Sequence, residues 1–574
     1  MTNLHALPTE DTERAQAVQP PEDANWWRSA VIYQVYVRSF FDANGDGVGD
    51  LAGVRAKLGY LHDLGVDAIW FNPWYPSPMA DGGYDVAAYR SIEPAFGTLE
   101  EAEQLIAEAL ELGIRTIIDV VPNHISNQHP WFVAALAAGP GSPERARFWF
   151  HPGRGEDGAQ MPTAWVSSFS GTSWTRTTNP DGSPGEWYLH LFTPEQPDLN
   201  WQNREVWTEH EEVLKFWFDR GVAGIRIDSA ALPVKDPRLP ELELDPEPGT
   251  HPHLDRDELH DIYRNWRSIA DSYPGTRVLV GELWLEDAGR FARYLRPDEM
   301  HTAFNFDFMA RPWDAKELRS SIEATLAAHA PVGAPATWVL SNHDVTRPVT
   351  RYGRADSSFA FTTKRFGVES DLVVGTRRAR AAALLAAALP GSIYIYQGDE
   401  LGLPEVEDIP LELLQDPMHY RSGGIDPGRD GCRVPLPWAA SGPSFGFSPE
   451  GVSAKPWLPQ PPGFGPLSVE AELHSAESML SLYRDALRLR RSQEGLGDGP
   501  LNWIVPYPND TDPADPHDTV PSDVLAFARG EHFISVTNFG SSPVPLPEHK
   551  QVLLASSELQ DSLLPPDTTA WLRR

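Results

Sequence analysis

The chain of 574 residues carries 47 Lys and Arg against 81 Asp and Glu, a net charge of −34. Such a surface repels nucleic acid and anionic membranes, so neither is expected as a partner. No stretch approaches the roughly 18 apolar residues of a membrane span, no basic and apolar leader opens the chain, and the single Cys432 excludes an intramolecular disulfide and fits a reducing cytoplasm.

Residues 1–25 are polar and Pro-rich and are expected to form a mobile tail. The character changes at Trp26-Trp27, and Val31 to Val37 reads as a first strand of β-branched and aromatic residues. Helical spacing from Val54 to Leu64 precedes a strand over Ala68 to Phe71, and a helix over Leu99 to Leu112 precedes a strand over Thr116 to Val120. Between the first strand and its helix, Asp42, Asn44, Asp46 and Asp50 place oxygen donors at alternate positions of a Gly-rich loop. With the Val48 carbonyl they form a candidate Ca²⁺ cradle, a metal-free Asx turn being the alternative. It is not an EF-hand, because Gly53 occupies the twelfth position.

After the third strand, residues 126–200 are rich in Pro, Gly, Trp and Ser. A stretch of that length is too long for a connecting loop and predicts an inserted domain. Regular alternation resumes with helices over Glu205 to Arg220 and Asp257 to Ser272, and strands at Gly224 to Asp228 and Arg277 to Gly281. A weak sixth strand is expected at Phe304-Asn305-Phe306 with its helix over Leu318 to His329. A seventh is expected at Thr337 to Leu340, then a helix over Arg377 to Leu389, an eighth strand at Ser392 to Tyr396 and a closing helix over Ser475 to Arg491. Short strands at Val524 to Arg529, His532 to Asn538 and Gln551 to Leu554 predict a C-terminal antiparallel β domain.

Three of the apolar strands end in carboxylates: Asp228, Glu282 and Asp344. Arg226 shares a strand face with Asp228 and is expected to hold it ionised, as a nucleophile requires. An isolated Arg-x-Asp is commonly a structural ion pair; three such strand ends together point to the catalytic face of a (β/α)8 TIM barrel. The expected layout is an α/β chain with barrel residues 26–125 and 201–498, an insert at 126–200 after strand three, and the β domain at 499–574. Cys432, with no supporting context, reads as a small buried apolar side chain.

Four stretches resemble the signatures of the α-amylase family (glycoside hydrolase family 13): Asp119 to His124, Gly224 to Asp228, Gly281 to Trp284, and Ser341 to Asp344. A fifth, Gln196 to Asn200, is similar to the form found in the α-glucosidase branch that includes oligo-1,6-glucosidases. The resemblance implies that Asp228 is the nucleophile, Glu282 the acid/base, and Asp344 the third carboxylate, binding sugar hydroxyls. It also implies that Arg226, His124 and His343 hold the sugar beside the scissile bond, that Asp81 and Tyr84 grip the non-reducing glucose, and, as a looser match, that Arg433 makes a late arginine contact. No organic cofactor is implied. A retaining glycosidase needs two carboxyls about 5 to 5.5 Å apart, one ionised and one protonated; Leu283, Trp284 and the neighbouring carboxylates are expected to favour the acid form of Glu282.

An insert and an irregular segment at the barrel mouth predict a pocket that takes short oligosaccharides or disaccharides from a chain end. Ser229, the residue after the nucleophile, leans the resemblance towards maltose-like α-1,4 linkages, with sucrose and trehalose left open. The competing readings are a transglucosylase or trehalose synthase on the same scaffold, which Tyr75 to Pro78 resembles and Ser229-Ala230-Ala231 departs from, and a non-catalytic binding subunit. The latter predicts a lost carboxylate and a membrane anchor, and the sequence has all three carboxylates and no anchor.

Overall fold

In the computed structural model, residues 23–179, 181–243, 246–504, 523–559 and 561–574 are described; the expected tail lies outside them up to residue 22. The barrel grows from short runs that are buried on both faces, as parallel strands covered by helices must be. Its first three strands are β1 (Val31–Val35), β2 (Ala68–Phe71) and β3 (Arg115–Val120). The chain then leaves for the insert, where β4 (Phe150–His151), β5 (Trp174–Thr178) and β6 (Pro184–Leu189) form a three-stranded antiparallel sheet in the order β4-β6-β5. Trp149, Trp165, Trp174, Leu189 and Leu191 give it a small core of its own.

The barrel resumes with β7 (Gly224–Ile227), β8 (Val278–Gly281), β9 (Thr302–Ala303), β10 (Thr337–Val339) and β11 (Ser392–Tyr396). Their order is β10-β11-β1-β2-β3-β7-β8-β9, every pairing parallel. The remaining gap is bridged where the Thr302 and Thr337 hydroxyls meet and Asn305 N–H donates to Thr337 O at 3.1 Å. Helices Leu99–Glu111, Arg204–Phe218, Leu259–Asp271, Ala315–His329, Leu372–Ala388 and Met479–Ser492 alternate with the strands. Thr98 and Glu101 form a capping box on the first of these, each bonding the other's backbone N–H.

Two expectations give way to local physics. The helix expected over Val54 to Leu64 is two helices, Leu51–Ala56 and Leu58–Leu64, parted at Lys57. The Lys57 ammonium lies 4.2 Å from the Phe41 ring centre and 4.3 Å from that of Trp438, a cation–π contact that accompanies the break. The sixth strand is β9, two residues ahead of Phe304. Asn305 accepts from Phe308 N–H at 3.0 Å and starts a helix, Phe306–Ala310, where a strand was expected.

The C-terminal sheet contains β12 (Asn502–Trp503), β13 (Val524–Arg529), β14 (Phe533–Asn538), β16 (Gln551–Ala555) and β18 (Thr568–Arg573), in the antiparallel order β12-β13-β14-β18-β16. Outside it β15 (Val544–Pro545) pairs with β17 (Leu563–Leu564). Strand β18 escaped the sequence reading, yet it is internal to the sheet. Its Trp571 is fully buried and donates to Leu384 O at 3.1 Å, fixing the sheet on the Leu372–Ala388 helix. Burying such a ring contributes about 1.5–3 kcal/mol or more. Among the described residues no helix is long and apolar enough to cross a membrane.

Candidate active site

Strand β7 ends with Arg226 inside the barrel and Asp228 one residue past the last ladder bond, where Asp228 N–H still donates to Val120 O at 2.9 Å. Arg226 is 1% exposed and serves three carboxylates. Its Nη1 lies 2.6 Å from Asp228 Oδ1 and 2.8 Å from Asp119 Oδ1, and its Nη2 lies 2.7 Å from Glu282 Oε2. The two strand ends that sequence reading singled out separately are thus joined through one guanidinium. Asp119, on β3, is held further by Tyr84 O–H at 3.0 Å and Trp70 Nε1–H at 3.2 Å. The Arg226 guanidinium sits 5.0 Å over the Trp70 ring.

Sharing one cation among three buried carboxyls changes the expected electrostatics. Burial raises the Asp228 carboxyl well above the usual range; Arg226 opposes this, and Glu282 and Asp119 add to it. Burial likewise pushes Asp119 up to about 7 against the pull of Arg226. Arg226 favours the ionised form of Asp228, as the sequence suggested, while burial and the two neighbouring carboxyls act against it. Asp119 and Glu282 thus share with Asp228 the one guanidinium that faces all three.

Asp344 has a different environment. Burial alone would raise it, but His343 and the Arg429 and Arg433 guanidiniums outweigh that and hold it below the usual carboxylate range. Arg433 Nη2 lies 2.9 Å and Arg429 Nη1 3.1 Å from Asp344 Oδ1. Arg433 also bonds His343 O at 2.8 Å and stands behind Asp344, whereas Arg429 lines the cavity and reaches Asp81 Oδ1 at 2.6 Å. A carboxylate fixed by two arginines is an ionised acceptor for sugar hydroxyls.

Burial disfavours the charged form of both histidines of the site. Burial pushes His124 down to about 3 and holds His343 well below its ordinary value. His343 stacks on Tyr84, ring centres 5.3 Å apart, and its Nδ1 meets Gln34 Nε2 at 2.8 Å. Gln196 Nε2 bridges Asp81 Oδ2 at 3.0 Å and His124 Nε2 at 2.9 Å, which ties the end of the insert to the barrel mouth.

These groups surround a cavity of about 380 Å³. Asp81, Tyr84, His124, Asp228, Glu282, Asp344 and Arg429 line its polar side, and Phe169, Phe192, Leu232, Trp284 and Phe361 give it an apolar side. Arg226, His343 and Arg433 lie behind that lining and brace it. Sequence reading named all of these as site residues except Asp119, Gln196, Arg429 and the apolar ring. Asp119 and Gln196 head motifs already quoted, and Arg429 precedes Arg433 by one helical turn. Of the apolar side, Trp284 ends a quoted motif, whereas Phe169, Phe192, Leu232 and Phe361 carry no motif and had no signal to find.

The loop from Asp42 to Asp50 is compact. Asp42 accepts from Gly45 and Gly47 N–H at 2.6 and 2.9 Å, Asn44 from Asp46 N–H and Asp46 from Val48 N–H, both at 2.9 Å. Asp50 accepts from Gly53, Ala43 and Asn44 N–H and caps the next helix. Among the described residues no three His, Cys, Asp or Glu side chains are grouped to hold a metal. Cys432 is buried and donates to Arg429 O at 3.2 Å, a packed thiol.

Carboxyls presented from separate strand ends of a (β/α)8 barrel, two of them on one guanidinium at a single cavity, define a glycoside hydrolase. The chain belongs to the α-amylase family: the model of the α-amylase catalytic domain matches residues 34–499. It is 36% identical over 503 residues to a probable α-glucosidase of Rhizobium meliloti (strain 1021), covering 84% of this chain and 85% of that one. It is 31% identical over 588 residues to the oligo-1,6-glucosidase of Parageobacillus thermoglucosidasius, covering 94% and 96%. Among solved structures, the α-glucosyl transfer enzyme XgtA superposes with a TM-score of 0.81 at 33% identity, covering 96% of this chain and 99% of that one.

Proposed function

We propose that the protein is a retaining α-glucosidase that releases glucose from the non-reducing end of short, maltose-like α-glucosides. The observation that carries this reading is the Arg226 clamp that brings Asp228 and Glu282 together at one cavity. Asp228 attacks the anomeric carbon while Glu282 protonates the departing oxygen, giving a glucosyl-enzyme that water then hydrolyses with Glu282 as base. Asp344 accepts hydroxyl bonds from the same glucose and stabilises the cationic transition state. His124, His343 and Arg226 shape the site around that sugar, and Asp81 with Tyr84 grips its far end. The Asp81–Arg429–Asp344 ion pairs favour a blind end that admits one terminal glucose.

Substrate charge is also constrained. Among the described lining residues there is no lysine, and Arg429 is already engaged by Asp81, Asp344 and Asp416. A neutral disaccharide suits this lining better than a phosphorylated one. Transfer to a sugar acceptor is a second reading, favoured by the apolar side formed by Phe169, Phe192, Leu232, Trp284 and Phe361, which offers an acceptor ring more contact than it offers water.

Incubation with maltose, isomaltose, sucrose and trehalose, followed by NMR, decides between them. Free α-glucose as the first product from maltose is expected; a new disaccharide or longer oligosaccharide without net glucose would move the assignment to transfer. The alternating donors Asp42, Asn44, Asp46, Asp50 and the Val48 carbonyl are proposed to take Ca²⁺, since carboxylate oxygens that accept N–H bonds keep further lone pairs. Calcium at 100 times its Kd adds about 2.7 kcal/mol of stability. EGTA should then lower Tm and calcium restore it; an unchanged Tm sinks the site. A cytoplasmic location is proposed as well, since the single Cys432 suits a reducing compartment.

A further inference from the structure

The two oxygens of Glu282 have different surroundings. Oε2 receives two donors, Arg226 Nη2 at 2.7 Å and the backbone N–H of Ser229 at 2.8 Å. Ser229 stands at φ 44°, in the left-handed region that non-glycine residues rarely occupy, and this turn directly after Asp228 aims its amide at Glu282. Oε1 has one protein donor among the described residues, the Trp284 indole Nε1–H at 3.2 Å. The indole is held in place by its stack on Phe306, ring centres 4.1 Å apart, and by the edge of Phe361 at 5.3 Å. Trp284 is nevertheless 38% exposed and borders the cavity.

A carboxyl oxygen already accepting two charge-assisted or amide bonds is a poor place for a proton. We propose that Oε1 is the oxygen of Glu282 that gives up and regains the proton, and that Ser229 N–H and Trp284 Nε1–H are positioning groups that assign it that task. The proposal rests on Glu282 being the acid/base. In the first step the Oε1–H bond breaks and its proton goes to the glycosidic oxygen, which keeps the electron pair of the breaking C1–O bond; an electron pair of Asp228 Oδ2 forms the ester bond to C1. Asp228 Oδ1 is occupied by Arg226, so Oδ2 is the oxygen left for attack. In the second step a water oxygen bonds to C1, its proton passes to Oε1, and the ester electrons return to Asp228. The indole N–H bonds the ionised Oε1 most strongly, so it supports Glu282 as leaving-group departure completes.

Trp284→Phe keeps the ring on Phe306 and removes only the N–H. Loss of a donor to the ionised carboxylate favours the acid form, so the limb on which maltose turnover falls with rising pH should move up by about 0.5 to 1 pH unit. A stacking role alone would change KM and leave that limb where it is. If the phenylalanine variant folds poorly, the benzothiophene analogue of tryptophan at position 284 tests the same N–H with the ring shape kept. An unmoved limb in either variant, with Glu282→Gln inactive on maltose, overturns this inference and leaves the α-glucosidase reading intact. Normal maltose turnover by Glu282→Gln overturns both.

Discussion

Asp228→Asn is expected to lower kcat on maltose by at least about 10⁴-fold while the protein keeps its Tm within a few degrees. The amide has the same shape and still accepts from Arg226, so the barrel end at Val120 and the clamp survive. What is lost is the anionic oxygen that must bond to C1. Removing one negative charge also relieves the crowding of Asp119, Asp228 and Glu282 around a single cation, so the variant should be no less stable than the parent. Single-turnover kinetics with an aryl α-glucoside, alongside a thermal melt, separate the two effects. An Asn variant that still accumulates a glucosyl-enzyme would remove Asp228 from the nucleophile role.

Arg226→Met should be the more damaging change for the whole molecule. It removes the cation that three buried carboxylates share at 2.6 to 2.8 Å and leaves them uncompensated. Breaking such a buried pairing by deleting one partner costs about 3–5 kcal/mol. Turnover should fall by at least about 10³-fold, since both reacting carboxyls lose their orientation. Arg226→Lys is no rescue: an ammonium is a compact point charge and cannot present separate N–H groups to Asp228 and Glu282. Urea unfolding and kcat/KM measured on both variants check this, and a methionine variant with parental stability would show that the carboxyls are neutralised by protons and not by Arg226.

The burial of these groups explains why the charges could not be judged from sequence. Arg226 and Asp228 are two residues apart in one strand, and their shared face follows from strand periodicity alone. That Asp119 and Glu282 converge on the same guanidinium depends on β3, β7 and β8 lying side by side, with Asp119 in register with Arg226 and Arg226 with Val280. That neighbourhood makes the arginine a minority cation, and its carboxyls add to the rise that burial imposes on Asp228. Arg429 illustrates the same limit. It lies 85 residues beyond Asp344 in the chain, yet the segment after β11 folds back to place it between Asp344 and Asp81.

The elements themselves were largely legible, because strands buried on both faces read as continuous apolar runs and the covering helices keep their 3.6-residue spacing. The exceptions have identifiable causes. Lys57 breaks a helix beside two aromatic rings, Asn305 caps a helix where aromatic residues suggested a strand, and β18 is set by the sheet and helix around Trp571. The Asn305 cap is local, to Phe308 N–H, whereas the surroundings of Lys57 and of Trp571 come from segments distant in sequence.

By itself the sequence determined the alternating barrel, the three carboxylates at strand ends and the long insert, since these follow from periodicity, chain length and the residue type at each strand's end. The tertiary structure decided which carboxylates share a cation, which arginine faces the cavity and which oxygen of Glu282 is left for the proton. Those outcomes depend on distances between strands and loops far apart in the chain, and burial magnifies each of them by removing the water that would otherwise screen the charges.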